Sequence, residues 1–476
     1  MSRPLTSPMQ LPLTQAAAWL SGVQAHGIEG VVVDRVHTDS RSLQAGDLFV
    51  ALRGERFDAN QFIAQAAAQG ATAVLCEPSG EAAARAAQLP ALVVPDSRIA
   101  LGELAAGWRA QFAIPLIAVT GSNGKTTVTQ MVASILRAHA HEAAHATQGN
   151  LNNEIGVPMT LLALRPQHSI SVVELGMNHP GEIAYLAQLA QPTVALVNNA
   201  QREHQEFMQT VRAVAEENGA VLQALPAGGV AVYPQDDAYT TLWDGLAADR
   251  ARCRFALHDA EVSAAAVLWH AGAWQFTLRT PQGTAPITLR IAGRHNVKNA
   301  LAAAACALSA GVPLTAVAQG LQAFEPVQGR SRALSLDGGR ISLVDDTYNA
   351  NPDSVRAAID VLAELPAPRL LVLGDMGEVG NQGPEFHAEV GAYARDQGID
   401  VLFTLGDLSL HAYRAFGAQR GQHFADMVAL QGAVAAVWRS TASILVKGSR
   451  FMKMERVVQT LQQQDQQNSE GEVHAA

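Results

Sequence analysis

The chain is poor in the residues that would place it in several large classes. It has three cysteines in 476 residues, Cys76, Cys253 and Cys306. They are scattered and lack metal-ligand spacing, which argues against a disulfide framework and for a reducing compartment. Aromatic residues make up 5%, too few for a platform that stacks nucleic-acid bases. Charged residues are 16%, with Lys+Arg 33 against Asp+Glu 43, a net charge of −10. An acidic chain without a basic block is a poor general nucleic-acid binder. No apolar run approaches the ~20 residues of a bilayer span. The N-terminal segment MSRPLTSPMQLPLTQAAAWL has no basic start followed by an apolar stretch, so a secretory signal is not expected. Membrane insertion is not expected either, and the expected location is the cytoplasm.

What is present is globular. A hydrophobic fraction of 48% excludes disorder over most of the chain, and the length suggests about three domains. Up to residue 109 the pattern is a small α/β unit: a strand over 47–52, a helix over 60–69 and a strand over 71–76. From about Ile114, apolar strands at 116–120, 171–175 and 193–198 alternate with longer helices, the mark of a mostly parallel sheet. The Ala-rich stretch 299–310 predicts a buried helix. The chain turns irregular over 323–329, with Pro326 and Gly329. A third α/β unit follows, with strands at 370–373, 401–405 and 443–446. The polar stretch 462–476 reads as a frayed end. The expected fold is therefore α/β in three domains, 1–109, 110–325 and 326–465, with a flexible tail at 466–476. No repeat of 20–50 residues is present.

The strongest local signal is Ile117-Ala-Val-Thr-Gly-Ser-Asn-Gly-Lys-Thr-Thr127. An apolar strand runs into a glycine turn and then a helix, whose apolar face is Val128, Met131, Val132, Ile135 and Leu136. Gly121 and Gly124 let backbone N–H groups of Ser122 and Asn123 curl around an anion, and the helix N-terminus at Lys125, Thr126 and Thr127 adds positive potential. In such a phosphate loop the lysine bridges the β- and γ-phosphates and the Thr126 hydroxyl sits on Mg²⁺. Val119 occupies the position where the usual motif has its first glycine. A phosphate loop alone does not name a reaction.

Further segments do. In order they are Thr38-Asp-Ser-Arg41, Gly46-Asp-Leu-Phe-Val-Ala-Leu-Arg-Gly54, Gly149-Asn-Leu-Asn-Asn-Glu-Ile-Gly-Val-Pro158 and Glu174-Leu-Gly-Met-Asn-His-Pro-Gly-Glu-Ile183. Then come Gly293-Arg-His-Asn-Val-Lys-Asn-Ala300, Asp345-Asp-Thr-Tyr-Asn-Ala-Asn-Pro-Asp353, Leu373-Gly-Asp-Met-Gly-Glu378 and Val446-Lys-Gly-Ser-Arg450. Together they resemble the Mur ligases, ATP-dependent amide-forming enzymes of peptidoglycan precursor synthesis. The resemblance runs from about Thr38 to Arg450. Asp346-Thr-Tyr-Asn-Ala-Asn-Pro352 and the Gly149 segment are similar to the branch that joins D-alanyl-D-alanine to UDP-N-acetylmuramoyl-tripeptide.

The resemblance implies an N-terminal domain for the UDP-N-acetylmuramoyl end, a central ATP-binding domain and a Rossmann-like third domain for the amine. It also implies ATP and Mg²⁺ as cofactors and a monomer. Residue by residue, it puts Lys125 and Thr126 on the phosphates and first metal ion, Glu174 on metal, and His204 on a second Mg²⁺. Asn299 matches the adenine-binding position, with Asn296 its structural partner; both side chains could instead satisfy a helix N-terminus. Arg330 is similar to the arginine that reaches the γ-phosphate, and Asp346 to the acid that accepts from the ribose hydroxyls. Asn152 and Asn153 fall in the substrate segment. Tyr348, Asn349 and Asn351 lie beside the amine pocket, although Asn351 and Asp353 equally suit a turn into a helix beginning near Ser354. Ser40 and Arg41 resemble part of the uridine-diphosphate and sugar pocket, with a structural ion pair as the alternative for Arg41. Lys447 and Arg450 would contact the dipeptide carboxylate.

Two departures stand out. Many Mur ligases carry a carbamylated lysine that bridges the magnesium ions, and Asn218 occupies that position here. The adjoining acids suggest Glu217, or secondarily Glu216, as the replacement carboxylate; the alternative is that both face solvent from a helix. Asn60-Gln-Phe62 differs from the commoner Gly-His-x-Phe. Among other readings, a sister ligase adding the third amino acid would carry an Asp-Asn-Pro-Arg-type motif, absent here. Folylpolyglutamate synthase lacks the N-terminal domain. A phosphate-loop ATPase switch would hydrolyse ATP without an amine.

Overall fold

A computed structural model describes residues 7–475, apart from 55–56, 203–207, 209, 271–272, 327–328 and 378. The chain builds three large sheets with their helices in succession, beside a three-stranded and a two-stranded sheet. In the first, β1 (Gln24–His26), β2 (Arg35–His37), β3 (Asp47–Val50), β4 (Ala73–Cys76) and β5 (Ala91–Val93) form a five-stranded sheet in the order β1-β5-β4-β3-β2. All pairs are parallel except β1 with β5. The helix expected over 60–69 is split into a 3-10 turn, Ala59–Phe62, and a helix, α1 (Ile63–Ala68). The cause is local: the Asp58 carboxylate caps the turn by accepting from Asn60 N. Asn60 is buried and accepts from Glu77 N, so the residue that departs from the family pattern has a structural role. Helix α2 (Ser97–Arg109) docks this unit on the next, with Trp108 Nε1 donating to Leu164 O and Arg109 Nε to Ala190 O.

The second sheet is six-stranded and fully parallel, in the order β11-β10-β9-β6-β8-β7. Its strands are β6 (Leu116–Thr120), β7 (Ala144–Ala146), β8 (Ile170–Glu174), β9 (Val194–Val197), β10 (Val230–Pro234) and β11 (Ala251–Phe255). Every residue of β6, β8 and β9 is buried, because helices cover both faces. Those helices include α3 (Lys125–Ala140), α4 (Gly156–Leu162), α5 (Glu182–Ala190) and α6 (Val211–Gln223). A small antiparallel sheet follows, β12 (Ser263–His270), β13 (Ala273–Thr280) and β14 (Gly283–Leu289). The expected Ala-rich buried helix is α7 (His295–Ser309), and α8 (Leu314–Gln322) lies next to it. Gly320 of α8 meets the backbone of α3, where a Cβ would stand 2.3 Å from Ile135 Cα.

The third sheet runs β15-β16-β20-β17-β18-β19 and is parallel except for β15 with β16. Its strands are β15 (Arg332–Leu336), β16 (Ile341–Asp346), β17 (Arg369–Gly374), β18 (Val401–Leu405), β19 (Gly421–Phe424) and β20 (Ser443–Lys447). Helices α9 (Pro352–Ala363) and α10 (Gly383–Asp396) face the second unit. The polar stretch read as a frayed tail is helical instead: α11 spans Glu455–Ala475. It lacks proline, and its Gln and Glu residues are good helix formers; Val457, Val458 and Leu461 anchor its start in the core. Among the described residues no helix is long and apolar enough to cross a membrane.

Candidate active site

Parallel strands deliver their C-terminal ends to one edge, where ligands bind in α/β sheets. Here the edges of the second and third sheets face each other across a cleft of about 460 Å³. On one side β6 ends at Thr120, and the chain turns through Gly121 (φ +133°) and Gly124 (φ +79°) before α3. A Cβ on Gly124 would stand 2.7 Å from Asn299 Oδ1 and 2.8 Å from Asn198 Nδ2, so glycine serves both backbone conformation and close approach. Val119 is a buried strand residue paired with Leu196 and Glu174. The loop is braced by the end of β9. Asn123 N donates to Asn199 Oδ1 (2.9 Å), Gln201 N to Ser122 Oγ (2.9 Å) and Asn198 Nδ2 to Asn123 O (2.8 Å). Lys125 Nζ folds onto the loop, donating to Gly121 O (2.5 Å) and Ser122 O (3.1 Å). Thr127 is buried beside it in the first turn of α3.

Glu174 ends β8 at this edge and is 1% exposed. Its Oε1 accepts from Thr126 Oγ1 (3.0 Å) and Asn152 Nδ2 (2.8 Å). Its Oε2 is buried without a hydrogen-bond partner. An orphaned carboxylate oxygen beside a hydroxyl is costly unless something fills it. Hard oxygen donors next to a phosphate loop fit Mg²⁺, which takes one or two carboxylates and leaves its other positions to phosphate and water. No group of three or more His, Cys, Asp or Glu with metal-site geometry exists among the described residues.

Against the loop, Asn299 Nδ2 donates to Asn296 Oδ1 (2.8 Å), Asn198 Nδ2 to Asn299 Oδ1 (3.0 Å) and Asn296 Nδ2 to Ala292 O (2.6 Å). The two asparagines thus brace the start of α7 and line the cleft together. From the third sheet, Asp346 ends β16 and accepts from Lys447 Nζ (2.6 Å) and Ser331 N (2.9 Å). Burial alone would raise the Asp346 carboxyl; the Lys447 ammonium and the Ser331 N–H outweigh it and hold it below the usual value. Lys447 is 3% exposed and also donates to Asn349 O (2.9 Å). Arg330 stacks 4.1 Å above the Tyr348 ring centroid, and both line the cleft. Arg450 stands 5.9 Å from that ring, is paired with Glu455 and does not line the cleft.

The helix expected near Ser354 starts at Pro352, capped by Asn351, whose Oδ1 accepts from Ser354 N (2.8 Å). The capping reading of Asn351 therefore holds, while its Nδ2 also reaches Asn123 Oδ1 in the phosphate loop (3.1 Å). Asn153 Oδ1 accepts from Gly156 N (2.8 Å), the first residue of α4, while lining the cleft. Glu217 requires a correction. Both its oxygens accept backbone N–H groups, Gly181 N and Ile183 N at 2.8 Å each, at the N-terminus of α5. It caps a helix and does not line the cleft, so the structure brings it together with α5 and not with Thr126 and Glu174. Glu216 is paired with Arg212 on the surface of α6. Asn218 is fully buried; it accepts from Thr120 Oγ1 (2.6 Å) and donates to Val214 O. His204 lies outside the described residues. Ser40 and Arg41 sit in the first unit away from this cleft, and Arg41 is paired with Asp39, the ion-pair alternative. Sequence reasoning missed Asn198, Asn199, Gln201 and Arg202, which follow β9 and carry no periodic signal.

The arrangement is that of a nucleotide-dependent enzyme whose site is shared between two α/β units. Family models match three consecutive parts: "Mur ligase family, catalytic domain" at 32–109, "Mur ligase middle domain" at 119–307 and "Mur ligase, glutamate ligase domain" at 329–450. A UDP-N-acetylmuramoyl-tripeptide–D-alanyl-D-alanine ligase of Escherichia coli strain K12 is 42% identical over 437 residues, covering 91% of this chain and 94% of the relative. The ligase of that name from Bacillus subtilis strain 168 is 34% identical over 454 residues, covering 91% and 94%. Crystal structure I of MurF from Acinetobacter baumannii superposes with a TM-score of 0.87 at 34% identity, covering 95% of this chain and 98% of that one. MurF from Thermotoga maritima in complex with ADP gives 0.80 at 25% identity, covering 91% and 98%. The chain belongs to the Mur ligase family.

Proposed function

We infer that the protein is an ATP-dependent ligase that joins D-alanyl-D-alanine to UDP-N-acetylmuramoyl-tripeptide, giving the UDP-N-acetylmuramoyl-pentapeptide of peptidoglycan synthesis. The observation that carries the reading is the unpartnered Glu174 oxygen beside Thr126, in a cleft that sets Lys125 opposite Arg330 and Asp346. We assign 1–109 to the UDP-sugar end, 110–325 to ATP and 326–465 to the amine, acting as a monomer in the cytoplasm. The cysteines are free, which supports a reducing compartment, where disulfides are rare.

A carboxylate at neutral pH does not accept an amine. Transfer of the γ-phosphoryl group makes an acyl phosphate; the amine attacks its carbonyl, and the tetrahedral intermediate expels phosphate. Two anions, ATP and carboxylate, must meet, so the site works by positioning and charge stabilisation. N–H groups of Gly121 to Thr127 cradle the phosphates, and Lys125 turns from the loop carbonyls to the β- and γ-oxygens. Arg330 supplies the second cation from the third domain. Glu174 and Thr126 would hold Mg²⁺, with His204 near a second ion; the metal supplies charge neutralisation at the transferring phosphoryl group. Asn299, oriented by Asn296, reads adenine with an amide that both donates and accepts. Asp346 accepts from the ribose. Asn152, Asn153, Tyr348, Asn349 and Asn351 line the path of the two peptides, Lys447 and Arg450 serve the amine side, and Ser40 and Arg41 the uridine-diphosphate end.

The test is phosphate release from ATP and Mg²⁺ with UDP-N-acetylmuramoyl-tripeptide and each candidate amine. The expected result is release that requires both the tripeptide and D-alanyl-D-alanine, with a pentapeptide product by mass. Release with neither substrate would replace this reading with an ATPase switch. Parallel assays with diaminopimelate and lysine tripeptides fix the third residue.

A further inference from the structure

The stretch Asn198–Arg202 is bonded on both sides. Toward the phosphate loop, Asn199 Oδ1 accepts from Asn123 N, and Gln201 N donates to Ser122 Oγ. Toward the third domain, Arg202 alone makes five hydrogen bonds. Its backbone N donates to Asp353 Oδ2 (2.8 Å), while Nε and Nη2 donate to Asp353 Oδ1 (3.1 and 2.7 Å). Nη1 and Nη2 donate to the two oxygens of Glu389, each at 2.9 Å. The guanidinium also lies 5.5 Å from the Phe386 ring centroid. Asp353 is in the first turn of α9 and Glu389 in the middle of α10, so one side chain ties two helices of another domain to the loop that braces the phosphate site.

We propose that Arg202 is a positioning residue, an interdomain clasp that couples the phosphate loop to docking of the third domain. Polar interfaces between domains of one chain open by default unless something holds them. Forked guanidinium–carboxylate pairs are the strong, geometrically specific way to hold one. Both arms of Arg202 are occupied by carboxylates, so it is not the cation that meets the phosphates; Lys125 and Arg330 are. Glu389 is independently ordered by Arg356 (3.1 Å), which stacks 3.9 Å from the Tyr393 ring centroid. Removing Arg202 therefore loosens the docking without unfolding α10. The proposal rests on the ligase reading only for its kinetic readout.

The experiment compares the full-length protein with Arg202→Ala, Arg202→Lys, Glu389→Gln and the Arg202→Ala, Glu389→Gln double variant. Small-angle scattering with and without a non-hydrolysable ATP analogue and Mg²⁺ reads domain docking. The expected result is a larger radius of gyration for Arg202→Ala. Its kcat/KM for the amine falls about 10- to 100-fold, the scale on which slight misplacement acts, while ATP-analogue affinity stays within about threefold. Glu389→Gln loses less, Arg202→Lys recovers part of the loss, and the double variant is no worse than Arg202→Ala. Unchanged compactness, multiplicative losses, or ATP affinity falling in step with turnover would each overturn the clasp. Absence of turnover with any amine in the unmodified protein would overturn the ligase reading instead, and the scattering comparison would still decide the clasp.

Discussion

Two carboxylates end parallel strands on opposite sides of the same cleft, and their surroundings differ. Glu174 ends β8 of the second sheet with one oxygen buried and unpartnered. Asp346 ends β16 of the third sheet and is paired with the Lys447 ammonium, a cation the protein carries itself. One acid has an oxygen that no group among the described residues satisfies. The other is completed within its own domain. A strand end supplies the position in both cases; the neighbouring strand decides whether the acid already has a counter-charge within the protein. Beside β16 stands β20, which ends in Lys447. Beside β8 stands β6, which ends in a glycine turn that leaves room for phosphate.

The comparison predicts opposite consequences for apparently similar changes. The largest effect belongs to the ligand side. Lys125→Ala removes the loop's cation at the transferring group, and we expect turnover to fall about 10³-fold with the melting temperature nearly unchanged. Next, Glu174→Gln keeps an acceptor for Thr126 and Asn152 but removes the charge awaiting a cation. Turnover should fall about 10²- to 10³-fold, with the Mg²⁺ concentration for half-maximal rate raised. Thermal stability should stay level or rise, since incompletely satisfied charge is kept at a site for function. Kinetic titration with Mg²⁺ and a melting curve test both halves.

On the other side, Asp346→Asn leaves a buried ammonium unpaired, which costs about 3–5 kcal/mol. At about 2–4 °C per kcal/mol for a domain of this size, differential scanning calorimetry should record a fall of roughly ten degrees in the third domain's transition. Restoring neutrality with Asp346→Asn and Lys447→Met together should return most of it. Equal destabilisation by Glu174→Gln and Asp346→Asn would erase the distinction between the two strand ends.

How far these sites could be read from the sequence follows from the range of the forces involved. The phosphate loop is local: an apolar strand, two glycines and a helix, all within Leu116–Ala140. The same holds for the Ala-rich helix that carries Asn296 and Asn299. Arg202 has no such signal, because its partners Asp353 and Glu389 are 151 and 187 residues away. Glu217 shows the reverse error. It stands beside the position left by the missing lysine, yet its carboxylate turns to the N-terminus of α5, where free N–H groups attract an acid. Proximity in sequence suggested a metal role, whereas the structure shows both carboxylate oxygens on the helix end. The polar segment after Gln462 misled for a related reason: low apolarity excludes a core but not a helix.

The smallest prediction separates the site from its scaffold. His145 lies on β7, at the edge of the sheet that carries Glu174, and is 7% exposed. Its Nδ1 is 2.8 Å from Ser171 Oγ. Burial, with a lesser push from His168, lowers its pKa from 6.5 to about 3. The unfolded chain therefore takes up a proton near pH 6.5 that the folded chain refuses until about pH 3. Stability is fully present above that upper value and declines as pH falls through the window, by about 1.4 kcal/mol per unit for this one group. Urea unfolding of the wild type and of His145→Gln at pH 7.5 and 5.5 should show the wild type losing about 1.4 kcal/mol more across the interval, while both keep the same turnover at pH 7.5. Parallel losses would mean that His145 is protonated in the fold. A change in turnover would mean that the sheet edge and the Glu174 end are not independent, and the contrast between scaffold and site would then have to be redrawn within a single sheet.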